Sequence, residues 1–346
     1  MTVSVERLLL VGAMAFALSL LLTPLARGFA RRFGLVDRPG GYKAHGAATP
    51  LLGGLAVAIA FIAVAAWSTM THAPGNMADV AAIALGAAII VAVGLVDDVR
   101  GMSAGNKLLW QGLAASVAGV TLGLLGVRVD LFLNWEPLPL ALLTALWVVG
   151  VTNAMNMLDN MNGLCAGLGA IAAACLAIFN LRTGEVAVAF AAIALSGACL
   201  GFLPWNWPRG KVFLGDTGSM LIGFALATLS VMGVYTRGAE LPILAVLAPL
   251  FVLAIPLFDA AVVVVLRLRS GDRPWAPDRR HLSQRLVARG VRPTAAVATI
   301  WAAALGCGVA ALLLPTTGAT EAPLLLVLVG SLLVAVFAAA GSRGLA

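Results

Sequence analysis

The chain has 346 residues, of which 61% are hydrophobic and 11% charged, with a mean hydropathy of +1.02. A water-soluble globule cannot carry that composition, so a polytopic membrane protein is expected. The net charge of +7 would suggest nucleic acid as the partner of a soluble protein. Here orientation in a bilayer accounts for it, and no nucleic-acid partner is expected.

About 20 apolar residues span a bilayer as a helix. By that measure the chain reads as about eleven transmembrane helices: 7–27, 51–70, 79–96, 108–126, 138–156, 163–181, 185–203, 219–235, 241–265, 295–314 and 322–340. The apolar stretch of the first, Leu8 to Leu25, follows Glu6 and Arg7, precedes Arg27, Arg31 and Arg32, and has no A-x-A cleavage site after it, so the first helix is expected to be retained rather than cleaved. The ninth contains Pro256 and Asp259 and should be kinked or tilted. Cys165, Cys175, Cys199 and Cys307 all fall in apolar segments and read as small packing residues. The longest polar stretch, 267–292, is too short for a domain, so residues 1–346 are expected to form a single all-α transmembrane bundle.

Charge orients the bundle. The loops after the first, third, fifth, seventh and ninth helices, with the C-terminal tail, hold 18 of the 22 Lys and Arg residues. Those loops should face the cytoplasm, with the N-terminus outside. They also hold nearly every polar motif. Loop one reads DRPGGYKAHGAATPLLGG from Asp37 and loop two opens with Asp97 and Asp98. Loop three is preceded by Asn153 and Asn156 and contains Asp159, Asn160 and Asn162; loop four carries FLGDTGS from Phe213; loop five carries DRRHLSQRL from Asp278.

Two adjacent carboxylates at a membrane interface repel each other and call for a cation or a proton; the alternative for Asp97 and Asp98 is a helix end balanced by Arg100. With Asp159 and Asp216 they make four carboxylates without a Cys or His cluster. That composition suits a hard, oxygen-seeking ion, Mg²⁺ before Mn²⁺. Gly215 and Gly218 around Asp216 allow close backbone approach at a helix start, where anions are favoured; an ordinary N-cap is the alternative. Arg38, Lys43, Arg100, Lys107, Lys211, Arg279, Arg280 and Arg285 are cations a phosphate could use. His45 and His281 are candidate phosphate ligands or proton carriers. Trp205 and Trp207 could stack on a base, although an interfacial belt explains them more simply. Together these residues suggest Mg²⁺-dependent phosphoryl chemistry between a water-soluble and a lipid substrate at the inner leaflet.

The five motifs, in this order from Asp37 to Leu286, resemble those of the polyprenyl-phosphate N-acetylhexosamine-1-phosphate transferases of glycosyltransferase family 4, with phospho-N-acetylmuramoyl-pentapeptide transferase a more distant relative. The resemblance implies transfer of a sugar-1-phosphate, GlcNAc-1-phosphate first, from a UDP-N-acetylhexosamine to undecaprenyl phosphate. UMP would be released and a cell-envelope glycan begun, in the bacterial inner membrane. It further implies that Asp97 and Asp98 serve the lipid phosphate, with Asp97 preferred as base. Asp216, then Asp159, would hold Mg²⁺, and Asn153 and Asn156 would orient the nucleotide or metal shell. Lys43, His45, Lys211, Arg279, Arg285 and His281 would meet phosphates. A homodimer is compatible with it.

Three departures matter. Asn160 and Asn162 stand where many members have Gly and Asp, and Ser283 with Gln284 replaces two His of the family's basic loop. The last change keeps a catalytically impaired homologue in view. An ion-coupled secondary transporter using Asp97, Asp98, Asp159 and Asp259 is the reading from another class, but transporters place such groups near the midplane and often show inverted repeats.

Overall fold

A computed structural model describes residues 5–37, 48–73, 77–124, 137–233, 243–276, 278–318 and 321–341. Arg38, Lys43 and His45 lie outside the described residues. Apolar sequence and lipid together dictate helix, because only a helix satisfies its own backbone within one segment. By contact density the chain groups into two compact units, Met1–Val129 with Trp135–Gly233, and Asp130–Asn134 with Val234–Ala346.

The first unit holds α1 (Val5–Arg32), α2 (Gly53–His72), α3 (Met77–Arg100), α4 (Ala104–Leu124), α5 (Pro137–Leu158), α6 (Leu164–Thr183), α7 (Val186–Asn206) and α8 (Gly215–Met232). The axis is α8, with 83% of its residues buried. It packs against α2, α3, α5 and α6, while α1 lies along α7 and α2. Lipid tails are as apolar as leucine, so these contacts depend on close van der Waals approach. Gly197 and Gly201, one turn apart on α7, show how: a Cβ at either would stand 2.1 or 2.2 Å from the α1 carbonyls of Gly12 and Phe16. A two-residue antiparallel pairing, Val36 with Pro50 and Asp37 with Thr49, precedes α2.

The second unit holds α9 (Ala248–Val252), α10 (Ala254–Arg269), α11 (Leu282–Ala288), α12 (Pro293–Leu313) and α13 (Ala322–Ala340), with a 3₁₀ turn at Ile243–Leu247. The segment expected to be kinked is broken: Leu244–Val252 and Ala254–Arg269 meet at 72° across Leu253. Pro256, just inside α10, supplies no N–H there, which suits a helix start and not a continuous helix.

Over the described residues each of the eleven expected segments is mainly helical, the ninth as a 3₁₀ turn followed by two helices. Among the described residues, eight helices are long and apolar enough to cross a membrane, or nine if the bent pair is one span. Neither α3 nor α4 is among them. The eleven expected spans are these eight, the bent pair, α3 and α4. The C-terminal end of α3 and the first turn of α4 build the site.

Candidate active site

In the first unit the polar residues collect at one end of the bundle. Asp97 and Asp98 close α3, Lys107 lies in the first turn of α4, Asn153 and Asn156 are in the last turns of α5, and Asp216 is in the first turn of α8. Two loop crossings hold these ends together. Gly53 and Gly54 donate their N–H groups to the carbonyls of Phe213 and Leu214 at 3.0 and 2.8 Å. A Cβ on Gly54 would stand 2.2 Å from the Gly218 nitrogen, so only glycine lets α2 sit against the start of α8. Asn206, buried at the end of α7, donates to the Val212 carbonyl at 2.8 Å and accepts from the Gly163 N–H. It ties the loop of Asp159 to the loop of Asp216.

Successive helical residues point about 100° apart, so the adjacent aspartates diverge. Asp97 is buried, accepts from the Met102 N–H at 2.6 Å and pairs with Lys107. Lys107 also donates to Asp216 at 3.1 Å, so one ammonium joins the two carboxylates. The partner of Asp97 is thus Lys107 and not Arg100. Asn156 donates to the other oxygen of Asp216 and to Ser219 Oγ at 3.0 Å. One turn earlier, Asn153 donates to the side-chain oxygen of buried Gln111, whose own Nε2 has no partner among the described residues.

Asp98 does different work. Its Oδ1 accepts from the Asp216 N–H at 2.7 Å, and its Oδ2 from the Thr217 N–H at 3.0 Å and the Thr217 hydroxyl at 2.6 Å. The start of α8 has no cap from its own preceding side chain, and Asp98 satisfies two of its orphan donors from another helix. Gly215 makes room: its φ is +73° and a Cβ there would stand 2.7 Å from Asp98 Oδ2.

Asp159, in the loop after α5, is half-buried. Burial, and then the neighbouring Asp216 and Asp98 charges, push its carboxyl up to about 8. The site therefore holds more negative charge than Lys107 neutralises. Among the described residues no three His, Cys, Asp or Glu side chains converge as a metal-binding group. Mg²⁺, however, binds through one or two carboxylates with substrate phosphate and water. Asp216 with its charge, and the neighbouring Asp159 once a cation displaces its proton, offer oxygen donors that fit that ion. Lys211 instead sits over the Trp205 ring, 5.6 Å from its centroid. Both line a cavity of about 180 Å³ with Pro204, Trp207, Pro208 and Arg209.

In the second unit, the loop before α11 is pinned by ion pairs. Arg280 grips Asp278 through Nε at 2.9 Å and Nη2 at 2.7 Å, and donates to Ser270 Oγ at 2.8 Å. Buried Arg267 reaches the same carboxylate at 3.3 Å. Burial would raise the Asp278 carboxyl, but the Arg280 hydrogen bonds and the two guanidinium charges hold it below its ordinary range. Arg279 beside it is exposed. Arg285 donates to the Phe337 and Gly341 carbonyls at the end of α13 and lies over the Phe337 ring. His281 is buried, with Nδ1 2.7 Å from Asp259 Oδ2. Ser283 is fully buried.

Sequence reasoning placed Lys107 only among general cations and Ser219 only as an N-cap candidate, and it passed over Gln111, Thr217 and Asn206. One signal was available. Lys107 and Gln111 stand four apart on an apolar helix, and such a pair shares a face.

Fold and site together define an all-helical, multi-pass membrane protein with an acidic, amide-rich site at one end of its helices. Residues 80–234 match the family described as Glycosyl transferase family 4. A Bacillus subtilis (strain 168) protein named "Probable undecaprenyl-phosphate N-acetylglucosaminyl 1-phosphate transferase" is 32% identical over 302 residues, 83% of this chain and 80% of that one. The decaprenyl-phosphate N-acetylglucosaminephosphotransferase of Mycolicibacterium smegmatis is 33% identical over 350 residues, 92% of this chain and 85% of its own. The undecaprenyl-phosphate alpha-N-acetylglucosaminyl 1-phosphate transferase of Escherichia coli K12 is 32% identical over 278 residues, 77% of this chain and 72% of its own. The chain belongs to glycosyl transferase family 4.

Proposed function

We propose that the chain transfers N-acetylglucosamine-1-phosphate from UDP-N-acetylglucosamine to a polyprenyl phosphate at the cytoplasmic face of the bacterial plasma membrane. A lipid phosphate oxygen attacks the β-phosphorus of the donor, the bond from that phosphorus to the bridging oxygen breaks, and UMP leaves. The relatives carry the substrate names; they share the sugar and differ between undecaprenyl and decaprenyl acceptors. The observation that carries the chemistry is the single ammonium of Lys107 shared by Asp97 and Asp216, with Asn156 on the second Asp216 oxygen.

In this reading Lys107 is the cation an incoming phosphate meets, and Asp97 takes the proton of the lipid phosphate. A phosphate monoester has a second pKa near 6, so that base assists and is not indispensable. Asn153 and Asn156 orient the donor, and the unpartnered Gln111 Nε2 is a buried donor for one of its oxygens. Asp216 and Asp159 would hold Mg²⁺, which when bound supplies charge neutralisation at the diphosphate. Asp98 positions Asp216. Lys43, His45, Arg279 and His281 meet phosphates, and Arg285 ties α11 to α13. The transporter reading loses ground here, because the first unit's acids lie at helix ends.

The test is UMP release by detergent-purified protein given UDP-N-acetylglucosamine and undecaprenyl phosphate, with and without Mg²⁺. Release that needs lipid and Mg²⁺, and that Asp216→Asn abolishes, is the expected result. No release from any UDP-sugar would overturn the proposal and favour the impaired homologue.

A further inference from the structure

Asp259 is a buried carboxylate that the reaction scheme leaves unused. It is fully buried within α10. A buried carboxylate is costly unless donors satisfy it, and two do. Oδ1 accepts from the Leu282 N–H at 2.7 Å, and Oδ2 faces His281 Nδ1 at 2.7 Å.

Those contacts fix more than position. A backbone N–H can only donate, so Oδ1 is committed to the first turn of α11. An ionised carboxylate is acceptor-only, so the nitrogen facing Oδ2 must carry a proton. His281 therefore has Nδ1 as its N–H, and Nε2 is the nitrogen left for chemistry. Among the described residues nothing partners Nε2. The ring is held on both sides along the chain, since Asp278 clamps Arg280 immediately before it and Asp259 clamps Leu282 immediately after it. A histidine oriented by a second carboxylate, with its outer nitrogen free, is the usual way to prepare an imidazole for a ligand.

We infer that Asp259 is a positioning residue that holds His281 in one tautomer and presents Nε2 to a substrate phosphate oxygen. The inference rests on the transferase reading for the phosphate, but not for the tautomer. Its alternative is a purely structural cap on α11.

Asp259→Asn separates the two. The amide oxygen can keep the Leu282 bond, but its NH₂ then faces Nδ1 and drives the ring proton to Nε2. The chain has three His, so ¹⁵N-histidine labelling in detergent gives few signals, and His281→Gln assigns one of them. Expected are an Nδ1-protonated His281 in the wild type that responds at Nε2 to added UMP or undecaprenyl phosphate, and an inverted tautomer in Asp259→Asn. The kcat for UMP release should fall about 10- to 100-fold, with a smaller change in KM. In a His281→Gln background the same substitution should cost little more. An Nδ1 without a proton in the wild type, no phosphate response at Nε2, wild-type kcat in a folded Asp259→Asn, or full additivity with His281→Gln would each overturn the inference. If Asp259→Asn does not fold, the wild-type tautomer and the Nε2 response decide. If the protein releases no UMP at all, the transferase reading fails while the spectra still decide this one.

Discussion

The start of α8 in the first unit and the start of α11 in the second use the same device. Neither helix caps itself. In each, a carboxylate from another helix accepts the first N–H groups: Asp98 of α3 for α8, and Asp259 of α10 for α11. The difference lies in what the second oxygen holds. At α8 it takes the Thr217 N–H and hydroxyl, leaving the neighbouring Asp216 to pair with Lys107 and Asn156. At α11 it takes an imidazole. One cap thus presents an acid suited to a cation, and the other a histidine suited to a phosphate. A helix start is a common anchor because its orphan donors must be met, and what is carried beside the anchor decides the chemistry.

The comparison breaks most completely at the acid. Asp216→Asn removes the charge that the α8 cap exists to present, and UMP release should fall by at least about 100-fold, with the thermal midpoint little changed. Asp98→Asn should cost nearly as much activity by a different route: its amide turns a donor toward the α8 N–H groups, so the unfolding free energy in a denaturant titration should drop by about 1–3 kcal/mol. A purely catalytic Asp98 would leave that stability untouched. Gly215→Ala perturbs the same cap from the other side. Its left-handed backbone alone costs about 1–2 kcal/mol for an L side chain, and turnover should fall with stability.

Asp159 makes the comparison depend on pH. Its carboxyl lies near 8 in the fold, above its ordinary value, so the folded chain binds that proton more tightly than the unfolded chain. The resulting stability is fully present below the unfolded pKa and is lost as pH rises through about 8. Without Mg²⁺ the thermal midpoint should fall over that window, and Asp159→Asn should flatten the decline. A wild-type profile as flat as the variant's would remove Asp159 from the charged cluster. The smallest effect belongs to Lys211→Ala, which takes an exposed ammonium off Trp205 and should change stability by about 0.5–1 kcal/mol while turnover stays near the wild-type rate.

Helix positions were legible because membrane-length apolar runs admit little but helix. The break before Pro256 was legible for the same local reason. The motif loops were legible as a set because polar residues at span ends are few. Their division of labour was not. Asp97 and Asp98 look alike in the chain, yet one pairs with a lysine and the other caps a helix 118 residues away. Pro50, Gly53 and Gly54, which read as part of a chemical signature, seat α2 against α8. Arg280 and Arg285 read as phosphate ligands, and the fold occupies them with Asp278 and with the carbonyls of α13.

The sequence by itself determined an all-α membrane protein, the motifs at one end of its helices and the kind of chemistry they suit. These follow from composition, periodicity and charge, which act over a few turns of chain. Tertiary structure alone decided that Lys107 joins Asp97 to Asp216, that Asp98 seats α8 and that Asp259 orients His281. Each depends on hydrogen bonds a few ångströms long between residues far apart in the chain, and no local pattern specifies which donor meets which oxygen.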